Sequence, residues 1–104
     1  MGASILAGRD RMDLDNGMSL RLLSALEVLQ ARREAEELAQ SERERALCSN
    51  ACLLSRALET QEGEPVFSSG REVLSGLRVE EIAALAGTWS RFNREENPGL
   101  TMEA

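Results

Sequence analysis

The sequence predicts an all-α fold. The expected domain is small and contains one long helix, which can be kinked, followed by a short helix and a C-terminal amphipathic helix. The segment 19–62 contains neither Pro nor Gly and is rich in Leu, Ala, Glu, Arg and Gln, which are good helix formers. Apolar residues recur at helical spacing in 79–92. β-Branched residues are few in the 104-residue chain and do not alternate with polar ones, so no strand is predicted.

The N-terminal residues 1–17 mix Gly, Arg, Asp and Asn without apolar periodicity, which predicts a disordered or loosely ordered segment. Met18 could be the true start of the protein. On this division, residues 18–98 form a single helical domain and residues 99–104 form a frayed tail.

The predicted long helix changes character along its length. Its first part, 20–29, is apolar around most of its circumference, as in a helix that is buried on several sides. Its middle, 32–45, keeps a thin apolar stripe among Arg–Glu pairs spaced i,i+4. The third part regains an apolar stripe with coiled-coil-like spacing. The members of this third stripe are Leu47, Ala51, Leu54 and Leu58.

The length of this segment leaves two alternatives open. At 1.5 Å per residue an unbroken helix over 19–62 would be about 66 Å long, which exceeds the diameter of a compact domain of this size. Either the helix breaks, with Gln40-Ser41 and Ser49-Asn50 as its weakest helix formers, or it projects and finds a partner. Because neither site contains Gly or Pro, the single helix is favoured. It predicts a homo-oligomer joined through the third stripe.

A loop and a short helix follow. Gly63 suits the position after a helix end, and Pro65 prevents the helix from continuing, so residues 63–70 form a loop. Ser69 and Glu72 have the spacing of a capping box. The helix that they begin is expected to run from Gly70 to Leu74 or Ser75 and to end at Gly76.

The last helix is expected over residues 79–96. Its acidic residues lie in the first turn and its Arg residues near the end, which matches the helix dipole. The run Asn97-Pro98-Gly99 stops it. One face carries the apolar residues Val79, Ile82, Leu85, Ala86, Trp89 and Phe92.

Composition excludes most catalytic chemistry. The chain has no His, Lys or Tyr, and all twelve of its basic residues are Arg, so His catalysis, His-ligated metals and Lys Schiff bases are ruled out. Adjacent Glu residues on a helix point about 100° apart and do not converge on a substrate. Cys48 and Cys52 lie one helical turn apart and make an incomplete zinc site, so they are interpreted as small buried apolar residues. The alternative is a metal shared between two chains. We predict no catalytic residue, no metal site, no cofactor and no enzyme activity.

Charge and hydropathy limit the classes of partner that the chain can bind. The net charge of −6 would repel nucleic acid and anionic membrane surfaces. No apolar run approaches the roughly 18–20 residues of a membrane span. The apolar stretch at the start of the chain is too short to be the apolar region of a signal peptide. We therefore expect a cytoplasmic protein that binds neither nucleic acid nor membrane.

The apolar helix faces remain as candidate binding surfaces. They could pack on each other, or part of this surface could hold an apolar segment of another protein in a groove. The candidate residues for partner binding or self-association are Leu22, Leu26, Leu29, Leu47, Leu54, Leu58, Leu85, Trp89 and Phe92.

Several stretches of residues 20–98 carry a family resemblance. They are the apolar run 20–29, Arg-Arg-Glu-Ala at 32–35, Asn50–Leu54, Arg56–Glu59, Gly63–Phe67, Val79–Ile82 and Trp89–Pro98. Taken together, they resemble the small tail assembly chaperones of long-tailed phages and prophages. The resemblance implies a non-enzymatic protein in the bacterial host cytoplasm. Such a protein keeps an aggregation-prone tape-measure protein soluble while tail subunits assemble around it. The first 17 residues lie outside the resemblance.

Two other classes remain open. A regulatory adaptor, such as an antitoxin or a secretion chaperone, is also small, acidic and helical. A minor structural component of the virion is the third alternative. The neighbouring genes would separate the first two, and the protein content of purified particles would reveal the third.

Overall fold

The computed structural model describes residues 10–96, and these residues form four helices and a three-stranded antiparallel sheet. The all-α prediction is therefore wrong, and the fold is mixed. In chain order the elements are β1 (Arg11–Asp13), β2 (Met18–Arg21), α1 (Ala25–Leu38), α2 (Glu42–Ala57), β3 (Leu58–Thr60), α3 (Gly70–Gly76) and α4 (Val79–Glu96).

The sheet has β2 at its centre, between β1 and β3. Leu20 pairs with Met12 on one side and with Leu58 on the other, so these side chains share one face of the sheet. Leu20 and Leu58 belong to the main core. Residues 14–17 join β1 to β2, and Gly17 has the positive φ of 84° that glycine adopts without strain. Residues 1–17 were predicted to be disordered or loosely ordered. The structure places β1 within that segment, and residues 1–9 lie outside the described range.

Pairing with two neighbours explains why 18–21 forms a strand although 19–21 was predicted to begin the long helix. The run Met18-Ser19-Leu20-Arg21 alternates apolar and polar side chains, which suits a strand with one buried face. Leu20 is fully buried on that face. Intrinsic helix propensity is a weak preference that tertiary context overrides.

The prediction of one unbroken helix over 19–62 is also wrong. The chain leaves the helical conformation between Leu38 and Glu42, at the weak point Gln40-Ser41, whereas Ser49-Asn50 stays helical inside α2. Helices α1 and α2 fold back on each other, and small side chains let them approach closely. The buried members of this contact are Ala31, Ala35, Cys48 and Cys52. The thin stripe of the middle part therefore packs inside the chain.

The end of α2 differs from the prediction as well, because Leu58–Thr60 continues as β3 instead of as helix. The loop then turns back over this strand. The Thr60 N–H donates to the Glu64 carbonyl at 2.8 Å, and the Val66 N–H donates to the Leu58 carbonyl at 3.2 Å. Gly63, with a φ of 87°, makes the turn.

The short helix α3 and the last helix α4 are confirmed. The Ser69 hydroxyl accepts a hydrogen bond from the Glu72 N–H at 3.2 Å. The Glu72 carboxylate reaches back to the N–H of Ser68 instead of Ser69. On α4 the predicted apolar face packs inward except Val79, which is 61% exposed. The predicted stop at Asn97-Pro98-Gly99 and the tail lie outside the described residues.

One main core joins the sheet to α2, α3 and α4. Its buried residues are Leu20, Ala51, Leu54, Ala57, Leu58, Val73, Ile82 and Trp89. Within residues 10–96, none of the helices combines the length and the apolar character needed to cross a membrane.

Candidate protein-binding site

An apolar groove of about 340 Å³ opens beside the main core. It lies between the β1–β2 turn, β3 with its following loop, and the first turns of α4. All of its lining residues except Asn16 and Glu81 are apolar. The lining residues are Asn16, Met18, Leu58, Val66, Phe67, Leu77, Glu81, Ala84 and Leu85.

The floor and walls of the groove are extensions of the core. Leu58 is 1% exposed and forms part of both. Met18, Val66 and Leu85 are partly buried and pack against the core cluster. An apolar ligand in the groove would therefore continue the packing of the protein interior. It would gain roughly 25 cal/mol for each Å² of apolar surface that leaves water.

The ring of Phe67 can take its position because residue 76 is a glycine. A Cβ atom on Gly76 would lie 2.7 Å from Cε1 of the Phe67 ring, closer than real Cβ contacts allow. The missing side chain lets the ring close against the end of α3. Phe67 thereby becomes part of the wall that faces α4.

The two polar side chains of the lining already hold backbone groups. The Glu81 carboxylate accepts a hydrogen bond from the Arg78 N–H at 2.8 Å, in the first turn of α4. The Asn16 side-chain oxygen accepts from the Met18 N–H at 3.2 Å. Both residues stabilise the walls of the groove. With this lining, the groove is suited to binding an apolar group.

The structure disperses the candidate residues that the sequence identified. Leu58 and Leu85 line the groove. Leu26 and Leu29, which are 59% and 46% exposed, lie on α1, and Leu22 is partly buried just before that helix. The four others belong to the interior or pack on it. These are Leu54, Trp89 and Phe92, which are buried, and Leu47, which is partly buried against the core.

The stripe proposed for self-association is thus engaged inside the chain. Ala51, Leu54 and Leu58 are at most 1% exposed, and Leu47 packs against the same cluster. Docking of a second copy on these side chains would require the core to open.

Sequence reasoning missed most of the groove, including Met18, Val66, Phe67 and Leu77. Two signals were available. The Asn16-Gly17 pair favours a hairpin turn, and apolar and polar residues alternate in the following segment 18–21. They would have indicated the β1–β2 hairpin. Nothing local to Val66 or Phe67 indicates that their loop packs beside α4.

A second cluster, on the outer face of the sheet, consists of charged residues. Glu59 pairs with Arg11 and with Arg21, whose Nε lies 3.0 Å from the carboxylate. Arg21 also pairs with Glu27 at 2.6 Å. Hydrogen bonding to Arg21 lowers the pKa of Glu27 to about 2, although partial burial opposes this shift. The two carboxylates are matched by two guanidinium groups, so the cluster ties the sheet to α1.

A third cluster joins α1, α2 and α3 around the thiol of Cys52. The Glu34 carboxylate accepts hydrogen bonds from Arg56 at 2.8 Å and from the Gly70 N–H at 2.9 Å. Burial raises the pKa of Glu34, but these two donors outweigh it and the net pKa is lowered. Burial, together with the Glu34 charge, raises the pKa of Cys52 to about 12. The thiol therefore stays protonated and is a poor nucleophile.

Gly70 shows how tightly this third cluster is packed. A Cβ atom there would collide with the Cys52 sulfur and would lie 3.1 Å from the Cys52 Cα. The start of α3 therefore lies directly against α2. Cys48, the other cysteine, is also buried, and burial raises its pKa. Among residues 10–96, no three His, Cys, Asp or Glu side chains are grouped so as to hold a metal ion.

No family model, no curated protein and no solved structure matches this chain.

Proposed function

We propose that this chain is a non-enzymatic protein-binding chaperone that assists phage or prophage tail assembly by holding apolar helical segments of a tape-measure-like partner. The groove bounded by Met18, Phe67 and Leu85 is the observation that supports binding. The assignment to tail assembly rests on the resemblance carried by residues 20–98.

The size of the groove supports a peptide anchor as its ligand. Its volume of about 340 Å³ lies near the lower end of the roughly 300–1,000 Å³ that is usual for ligand pockets. Such a groove accepts a few side chains and not the whole circumference of a helix. Recognition of a helix by its apolar anchor residues works in this way.

The proposed setting is the cytoplasm of a bacterial host, with a protein as partner. The net charge of −6 disfavours nucleic acid and anionic membranes as alternatives. Self-association stays a prediction that sedimentation at micromolar concentration tests. Leu26 and Leu29 are the exposed members of the predicted set and would be the residues to replace if a dimer were found.

Two neighbouring alanines of α4 allow a matched test. Ala84 is exposed and lines the groove, whereas Ala83 is exposed and does not line it. Ala84→Trp places a large side chain at the groove, and Ala83→Trp places the same side chain beside it. The chain and each variant are co-expressed with a tape-measure protein of a long-tailed phage, the partner that the proposal names. The soluble fraction of that partner is then measured.

The wild-type chain and Ala83→Trp are expected to raise the soluble fraction of the partner, and Ala84→Trp is expected to lose this effect. If the wild-type chain leaves the solubility unchanged, the chaperone proposal is wrong. If Ala84→Trp works as well as the wild type, the groove is not the binding site.

A further inference from the structure

Exposed acidic residues are frequent in the parts of the chain that form the apolar groove. The lining residues lie within 16–18, 58–67 and 77–85, and five exposed carboxylates and one Arg lie in these segments or directly beside them. They therefore hold most of the net charge of −6 that the whole chain carries. The acidic residues are Asp15, Glu62, Glu64, Glu80 and Glu81, all exposed, and the basic one is Arg78.

These charges lie on both sides of the apolar lining. Glu80 is four residues before Ala84 on α4, so the two side chains lie on the same helix face. Glu62 lies in the turn that follows β3, and its neighbour Gln61 approaches Gly17 of the β1–β2 turn. A ligand in the groove would meet apolar side chains at its centre and carboxylates at its edges.

Two other clusters of charged residues differ because their charges are balanced. On the outer face of the sheet, Glu27 and Glu59 are matched by Arg11 and Arg21. Between α1 and α2, Glu34 is matched by Arg56. Arg78 lies 4.0 Å from Glu80. The five exposed carboxylates exceed this one Arg by four, so their field can act on a ligand.

We infer that the groove selects a basic amphipathic segment, in which an apolar anchor enters the groove and flanking Lys or Arg residues meet the acidic residues around it. This inference rests on the proposed function and names the chemical class of the partner. Charges at the edge of an interface act mainly on specificity and on the rate of association. A second copy of this chain is a poor occupant, because it carries the same excess of negative charge.

The test uses two fluorescein-labelled synthetic peptides with leucines at the same i, i+3, i+4 and i+7 positions. One peptide has Lys at its polar positions and the other has Glu. Binding to the full chain is measured by fluorescence anisotropy at low and at high salt. The Lys peptide is expected to bind about tenfold more tightly at low salt, as two or three exposed ion pairs would give. This difference should shrink at high salt.

Charge-neutralising variants locate the effect. Glu62→Gln with Glu80→Gln is expected to weaken Lys-peptide binding about threefold, because one or two exposed ion pairs are lost. The control, Glu37→Gln with Glu95→Gln, removes the same charge from exposed positions that do not line the groove and should leave binding unchanged. Thermal unfolding of both double variants verifies that they are folded.

Each of the other outcomes would contradict one part of the proposal. Equal binding of the two peptides refutes the selection of basic partners but leaves apolar binding in the groove intact. Equal losses in the two double variants show that only total charge acts. If Ala84→Trp does not weaken binding of the Lys peptide, the peptide binds elsewhere on the surface, and the groove is not the binding site. Binding of neither peptide, or a dimer that Ala84→Trp dissociates, refutes the inference.

Discussion

Glu27 connects the central strand to the first helix through one carboxylate. It accepts hydrogen bonds from the guanidinium of Arg21, with the shorter contact at 2.6 Å, and from the N–H of Ser24 at 2.9 Å. These donors favour the charged form, which explains why the pKa of Glu27 falls to about 2 in the folded chain. Protonation of this one group therefore weakens the link between β2 and α1.

The depressed pKa predicts a loss of stability in acid. The unfolded chain binds this proton near the ordinary pKa of 4.5, and the folded chain binds it only near 2. The stabilisation by Glu27 is thus complete above pH 4.5 and is lost as the pH falls towards 2. We expect Glu27→Gln to be less stable than the wild type at pH 7 and to lose less stability on acidification. Urea unfolding at pH 7, 4 and 3 measures this difference.

Glu37→Gln is the control, because Glu37 is exposed on the same helix and should change neither the stability nor its pH dependence. A Glu27→Gln curve that runs parallel to the wild-type curve between pH 4.5 and 3 would contradict the assigned pKa.

At the scale of elements, the helix starts differ in how they are capped. The Ser24 hydroxyl accepts from the Glu27 N–H at 3.1 Å, and the Glu27 carboxylate accepts from the Ser24 N–H, which completes a capping box at α1. Ser41, at the start of α2, makes no side-chain capping hydrogen bond. Instead, the Glu44 carboxylate accepts from the Gln40 N–H at 2.8 Å and holds the turn between the helices.

This contrast predicts unequal effects of the same substitution. Ser24→Ala should lower the free energy of unfolding by about 1 kcal/mol, since the cap of α1 is lost. Ser41→Ala should change it by less than about 0.5 kcal/mol, as is usual for an exposed side chain without a defined contact. Chemical denaturation of both variants at neutral pH compares them directly. Equal losses would show that the capping hydrogen bond is not the source of stability.

At the scale of the whole molecule, Trp89 reports on how the helices and the sheet are assembled. Its ring is 5% exposed and belongs to the main core. Its indole N–H donates to the Arg21 carbonyl at 2.8 Å, which anchors α4 to the end of β2. Because the core includes residues from the sheet and from three helices, separation of α4 would expose the ring.

We therefore expect the chain to unfold in a single cooperative step, as small single domains usually do. Trp89 is the only tryptophan, so its fluorescence follows the main core, while far-UV circular dichroism follows all the helices. The two urea transitions should coincide. A red shift of the fluorescence at a lower urea concentration than the loss of helix would show that α4 detaches first.

Elements with strong local signals could be predicted from the sequence. Helix α4 has apolar residues at helical spacing, and α3 has a serine cap with Gly76 at its end, so both are specified by residues close together in the chain. The break between α1 and α2 lies at one of the two weak helix formers, although the unbroken helix was favoured. The chain has no His and no Lys, so His catalysis, His-ligated metals and Lys Schiff bases are excluded whatever the fold.

By itself, the sequence determined the helices at 70–76 and 79–96, the apolar residues available for a core and the excess of negative charge. Tertiary structure alone decided the sheet, because strands of three or four residues become stable only by pairing with distant partners and burying one face. It also decided the groove, whose walls come from three separate parts of the chain, between Asn16 and Leu85. A site built from such distant residues has no local pattern, since it exists only where packing brings its walls together.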